Sequence, residues 1–141
     1  MSTTEARRTL IEQVWAAAWG QGDVDALDQL LSPDYRRHSA EGDPQDLSAF
    51  KTSVLATRSA FPDLVTTIDD IVVDGDRAAI RWHSNGTHEN SLLGVPATQR
   101  RVEVGGATFA RFEGDTVAEE FVTWDPRALL SALGIIRVGQ D

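Results

Sequence analysis

The residues able to move a proton near neutral pH are few and scattered. The histidines are His38, His83 and His88, and the 141 residues include no cysteine. Disulfides, thiolate zinc sites, iron–sulfur clusters and thiol nucleophiles are therefore excluded. No G-x-S-x-G turn is present to expose a serine as a nucleophile. The one dense glycine pair, Gly105-Gly106, sits inside an extended stretch and not before a helix, so it cradles no phosphate. His83 and His88 are five residues apart. On one straight strand that spacing turns them to opposite faces, away from a shared metal. No metal and no cofactor are expected. The remaining chemistry is acid–base work by carboxylates, histidines and ordered water.

The last hairpin holds the richest set. A two-residue turn at Gly114-Asp115 pairs Phe112 with Val117, Ala110 with Glu119 and Thr108 with Phe121, if no bulge intervenes. Alternation then puts Val117, Glu119, Phe121, Thr123 and Asp125 on one face with Thr108. Glu119 and Asp125 stand about 20 Å apart on a straight strand, too far for a dyad. Asp125 is the candidate base on its own. It is also a good N-cap before Pro126. Capping lowers a carboxylate's pKa and an apolar pocket raises it, so the two roles compete. His38 sits just after the second helix, a spectator if that position is on the surface, and His88 stands at a strand end beside a long loop. Trp15 and Trp19, four apart on one helix face, pack a core or stack on a flat ligand.

Charge narrows the partners. Thirteen basic residues against 22 acidic ones give a net charge of −9. That balance repels phosphate backbones, and Arg100-Arg101 is no basic patch, so no nucleic-acid partner is expected. No apolar run approaches the length of a membrane span, and no leader pattern follows Met1. The expectation is a soluble cytoplasmic protein with no membrane partner.

The elements that must position these groups can be read in order. Ser2 and Glu5 form a capping box for a helix whose apolar face carries Leu10, Ile11, Val14, Trp15, Ala18 and Trp19. Asp23 starts a second, short helix with Val24, Leu27, Leu30 and Leu31, stopped by Pro33. A third helix spans about Asp46 to Ala60, with Leu47, Phe50, Val54 and Leu55 on one side. Strands follow at Val65–Val73, Arg77–Gly86, Arg101–Phe112 and Thr116–Trp124, with a bulge or bend expected at Gly105-Gly106. A short last helix begins at Asp125-Pro126 and carries Leu129, Leu130 and Leu133 inward. Arg137 to Asp141 is expected to be a loose tail. Helices first and a meander after imply one α+β domain over residues 1–141.

These residues resemble the SnoaL-like polyketide cyclase family, within the nuclear-transport-factor-2-like superfamily. Trp19-Gly20-Gln21-Gly22-Asp23 through Leu27 and Leu30 fits "W-x-x-G-D-x-x-x-L-x-x-L". Tyr35 to His38 fits "Y-x-x-H", and Phe61-Pro62-Asp63 fits "F-P-D". Gly86-Thr87-His88 with Leu93-Gly94-Val95-Pro96 fits "G-T-H … G-x-P", and Arg111-Phe112 fits "R-F". Glu119, Trp124-Asp125 and Leu129 to Gly134 follow "E … D-x-x-x-L-x-x-L-G" with one residue more between the motif's last two leucines. Two positions depart: Ala97-Thr98-Gln99-Arg100 replaces "P-T-G-R", and Thr108 stands where the cyclases carry a histidine.

The resemblance implies a cone: a curved antiparallel sheet, three N-terminal helices over its concave face and a short C-terminal helix. It implies a closed pocket for a small hydrophobic substrate of polyketide type and a role in secondary metabolism such as antibiotic biosynthesis. It also implies a homodimer through the outer sheet face, where Val122 and Trp124 are expected. Asp125 takes the position of the family's acid/base, with His38 near the cavity to orient a substrate oxygen. Trp15, Trp19, His88, Thr108, Phe121 and Glu119 are the expected substrate contacts. Cofactor-independent aldol ring closure is the reading this favours. Hydroxylation or epoxide opening, and a non-catalytic binding module, stay open as alternatives. An epoxide-opening set of Asp125 and Arg111 is disfavoured, because the expected register puts them on opposite faces.

Overall fold

The computed structural model describes residues 2–40, 42–92 and 94–135. The expected tail from Arg137 to Asp141 lies outside them. Helix α1 is Thr3–Trp15, capped by Ser2, whose hydroxyl accepts from Glu5 N at 3.1 Å. It runs on into a π-helical turn, Ala16–Gly20, which carries Trp19. The expected second helix is a 3-10 helix, Val24–Gln29, and Asp23 makes no side-chain cap to it. Strand β1 is Leu31–His38, and helix α2 is Leu47–Ala60, capped by Asp46 onto Ala49 N at 2.8 Å. Strands β2 (Val65–Asp74), β3 (Arg77–Thr87), β4 (Arg101–Glu113) and β5 (Thr116–Trp124) follow. Helix α3, Pro126–Ala132, ends the described chain. Among the described residues no helix is long and apolar enough to cross a membrane.

The protein is α+β, with five strands in the order β1-β5-β4-β3-β2. The meander β2 to β5 is antiparallel, with two-residue turns joining β2 to β3 and β4 to β5 and a long loop, residues 88–100, joining β3 to β4. The sheet differs from the all-antiparallel expectation in its first strand. β1 lies at the edge, parallel to β5, with Arg37 opposite Glu120 and His38 opposite Phe121. The sequence pattern instead ends the second helix at Pro33 and predicts no strand over 31–38. Pro33 is tolerated because an edge strand needs no donor on its free side. Leu31 and Tyr35 are buried while Pro33, Asp34 and Arg36 are exposed.

Two further differences bear on the site. The expected bulge at Gly105-Gly106 is absent, and β3–β4 pairing runs straight through it. Gly106 is there for space instead: a Cβ would meet Trp82 Cζ2 and Thr123 O at 2.6 Å each. The bulge lies in β5. Phe112 faces Val117, but Arg111 faces Glu119, so Ala118 is the extra residue. Every β5 side chain beyond it changes face. Glu120, Val122 and Trp124 point inward, while Glu119, Phe121 and Thr123 share the outer face with Arg111 and Phe109. The expected outer-face role of Val122 and Trp124 is corrected accordingly. Leu55, expected on the packed side of α2, is exposed.

Apolar packing forms two clusters. One joins α1, the 3-10 helix, α2 and the sheet through Ile11, Leu27, Tyr35, Phe50, Ile80 and Val117. The other gathers Ala60, Phe61, Val102 and Leu133. Gly106→Ala tests how tightly the inner face is fitted. It should destabilise the fold by about 1–3 kcal/mol, the usual scale of overpacking, read as a lower Tm. An unchanged Tm would show that Trp82 has room to move.

Candidate active site

A cavity of about 430 Å³ lies between the two clusters. Trp15, Trp19, Phe50 and Trp82 wall it from the first, and Phe61, Leu64, Leu92, Val102, Val104 and Leu129 from the second. Trp124 completes a set of four indoles. The cavity is open to solvent, a cleft rather than the closed pocket expected. Its volume falls in the range of small-molecule sites. Trp19 is held edge-on against Phe50, ring centroids 6.2 Å apart, and its carbonyl accepts from the Arg58 guanidinium.

Polar groups on the wall are few and mostly tied. Trp82 Nε1 donates to Thr108 Oγ1 at 3.1 Å. Gln45 Nε2 donates to Ser53 Oγ at 2.8 Å, and Thr66 and Ser84 share a hydrogen bond of 2.7 Å. The charged residues on the wall are Arg37 and Asp43. Asp43 is exposed on the loop after β1. Arg37 is half-buried, its guanidinium 4.4 Å over the Phe50 ring and 3.6 Å from Glu120 Oε1.

Glu120 is the buried carboxyl of this region, 3% exposed. The Tyr35 hydroxyl donates to the same Oε1. Burial pushes the Glu120 pKa up, against the opposing pull of Arg37 and the Tyr35 hydrogen bond. Burial first, then the charge of Glu120, also drives the Tyr35 pKa well above its usual value, so Tyr35 stays a neutral donor. The three form one unit: a neutral phenol, a carboxyl pressed toward its protonated form and a guanidinium at the cleft wall.

The structure separates the expected site residues. Trp15, Trp19 and Thr108 line the cleft. His38, Glu119 and Phe121 do not, because the Ala118 bulge and the course of β1 put them on the outer face. There His38 Nε2 lies 2.8 Å from Glu119 Oε2 and its ring stacks on Phe121 at 4.7 Å. Arg111 Nη2 donates to Glu119 Oε1 at 3.0 Å, and that bond, then His38, hold the Glu119 pKa below the usual carboxylate range. His88 is fully buried but off the cleft wall, beside Phe61. Its Nδ1 accepts from Thr98 N at 3.2 Å, and its Nε2 has no hydrogen-bond partner among the described residues. Asp125 is exposed, and its Oδ1 accepts from Arg127 N at 2.9 Å as the cap of α3. It does not line the cleft, although its neighbours Trp124 and Leu129 do.

Sequence reasoning missed Arg37, Glu120 and Tyr35 as a unit, and assigned Trp124 to the wrong face. Alternation along β1 would have placed Tyr35 and Arg37 together, had the stretch been read as a strand.

The fold, the cleft and the motif order belong together. The chain belongs to the SnoaL-like polyketide cyclase family, whose model matches residues 9–133. Among solved structures, AclR, a candidate hydroxylase from Streptomyces galilaeus, superimposes with a TM-score of 0.84 at 28% identity. The match covers 95% of this chain and 99% of that one. TsrD from Streptomyces laurentii gives 0.86 at 28% identity, over 96% and 100% of the two chains. IdmH, a candidate polyketide cyclase from Streptomyces antibioticus, gives 0.78 at 29% identity, over 91% and 98%. No curated protein matches the chain.

The buried carboxyl makes stability pH-dependent in a defined direction. A carboxyl whose folded pKa is raised costs nothing below its unfolded value, destabilises the fold progressively as pH climbs from there to the folded value, and adds a constant penalty above it. Tm of the wild-type chain should therefore fall across that window. Glu120→Gln should remove this part of the fall, and parallel Tm–pH curves for the two proteins would show that Glu120 does not titrate there.

Proposed function

We propose that the protein is a cofactor-independent enzyme of polyketide cyclase type, closing a ring in a hydrophobic carbonyl compound by acid–base chemistry. The carrying observation is the cleft itself, with four indoles and two phenyl rings on its wall and Arg37 as the cation among its described lining residues. Flat apolar bodies pack between indoles, and Arg37 supplies N–H donors that orient a substrate oxygen. The role once expected of His38 passes to Arg37, because His38 faces outward.

In the proposed reaction Asp125 removes a proton alpha to a carbonyl. The enolate carbon forms a bond to a second carbonyl carbon of the same molecule. That oxygen becomes an alkoxide and takes the proton back from Asp125. Support for Asp125 is its place in the family motif and its position between two wall residues, Trp124 and Leu129. Its exposed cap geometry favours a second reading, a binding module without catalysis.

Two substitutions separate these readings. Asp125→Asn keeps the cap, since Asn caps about as well as Asp, and removes the base. Turnover of a cyclisable substrate should fall by about 10²-fold or more with Tm unchanged. Asp125→Ala should cost about 1 kcal/mol of stability besides. Full activity in the Asn variant would end this mechanism.

We further propose that the molecule works as a homodimer through its outer sheet face. Phe109 and Phe121 stand opposite each other across β4 and β5 and are about half exposed, at 52% and 46%. Exposed aromatic pairs on a sheet face favour a cover, and the flanking Arg111, Glu119, Arg81 and Asp69 carry both charges. A second copy offers the same mixture in return. Sedimentation at about micromolar concentration should show a dimer, and the Phe109→Ser, Phe121→Ser double variant a folded monomer. A wild-type monomer would remove the proposal.

A further inference from the structure

We propose that the cleft selects a ligand carrying a carboxylate on a flat apolar body, and that Arg37 is the group that reads it. The inference rests on the cleft being the ligand site and adds the charge class of what enters it.

The first argument is unspent donors. A guanidinium presents five N–H donors in a rigid fork. The Arg37 guanidinium stands 3.6 Å from Glu120 Oε1, beyond a good hydrogen bond, and beside the Tyr35 hydroxyl. That same oxygen already accepts from Tyr35. Among the described residues, the donors of the fork that face neither Glu120 nor Tyr35 are left for a ligand.

The second argument is rigidity. Arg37 N donates to Gln45 O at 2.8 Å, and Arg37 O accepts from Gln45 N at 2.9 Å. Its other edge pairs with β5 opposite Glu120. Phe50 supports the guanidinium face from α2. A fork held this way has less freedom to lose on binding, and a carboxylate matches it with two oxygens where a neutral amide offers one.

The third argument is charge balance. The groups packed around Glu120 are Tyr35 and Arg37 on β1, Ala110 opposite it on β4, and Phe50 beside Tyr35 on α2. None but Arg37 is a cation. Burial presses Glu120 toward its neutral form. With Glu120 protonated, Arg37 keeps a charge on an apolar wall that an incoming anion would balance. Asp43, also on the wall, is exposed, where solvent screens it. Anion binding and Glu120 protonation therefore favour each other, and binding takes up a proton.

Calorimetric titration with 2-naphthoate and its neutral analogue 2-naphthamide tests this on the full chain. The naphthoate should bind at least about tenfold more tightly, the value of one good charge-assisted contact. Arg37→Gln should erase that preference while amide binding persists, which also reports a folded cleft. Wild-type affinity for naphthoate should weaken as pH rises through the ionisation of Glu120, whose pKa burial raises. Glu120→Gln should make it flat, and this arm stands even if the Arg37 variant fails to fold. Equal binding of the two probes, or a preference that survives Arg37→Gln, overturns the assignment and leaves the cleft as a neutral-ligand site. Binding of neither probe overturns the cleft reading itself, and this inference with it.

Discussion

Ala118 is one residue too many for the β4–β5 ladder, and the interior is arranged around that surplus. A straight hairpin would send Glu119 and Phe121 into the cleft and turn Glu120 and Trp124 out. The bulge reverses both pairs. It exchanges a carboxylate tied to Arg111 for one buried against Tyr35, and it sets a fourth indole on the wall. Bulges re-aim side chains in this way at a local cost in pairing. Here the single unpaired residue decides which chemistry the cavity contains.

Burying Glu120 then constrains the edge of the sheet. An ionised carboxylate without partners would be expensive in that position. β1 supplies both partners from one strand face, Tyr35 by hydrogen bond and Arg37 by charge. The parallel pairing of β1 on β5 is what brings Arg37 opposite Glu120. The edge strand is therefore more than a border. It neutralises the buried acid and presents the cleft's guanidinium in the same stroke.

Most of the fold could be read from the chain. The capping box at Ser2, the apolar periodicity over about Asp46 to Ala60, the turn at Gly114-Asp115 and the family motifs placed two α-helices, four strands and the short last helix. β1 was not legible because Ser32, Pro33, Asp34, Arg36 and Arg37 make it polar and proline-bearing, the composition of a loop. Its strand character comes from tertiary pairing, which local propensity does not encode. The candidate site was harder. Trp15, Trp19 and Thr108 were readable from helix spacing and strand order, since no irregularity intervenes. Glu119, Phe121 and His38 were misplaced because a one-residue slip inverts a whole strand face, and nothing around Ala118 announces the slip. Asp125 could be read as a cap and is one.

The cleft itself follows from two clusters that do not merge. α1 and α2 pack the first against β3 and β4, while the second closes under α3 and the loop before β4. A core of this size could have joined them by filling the gap with aliphatic side chains, which would add buried area and stability. Indoles stand there instead, large and rigid, with their edges pinned by Thr108 and Phe50. Such walls hold a gap open because an indole anchored at its N–H cannot collapse inward as a leucine can. The unfilled space is thus bought with stability, and the one charged fork on its wall is the feature that gives the space a preference among ligands.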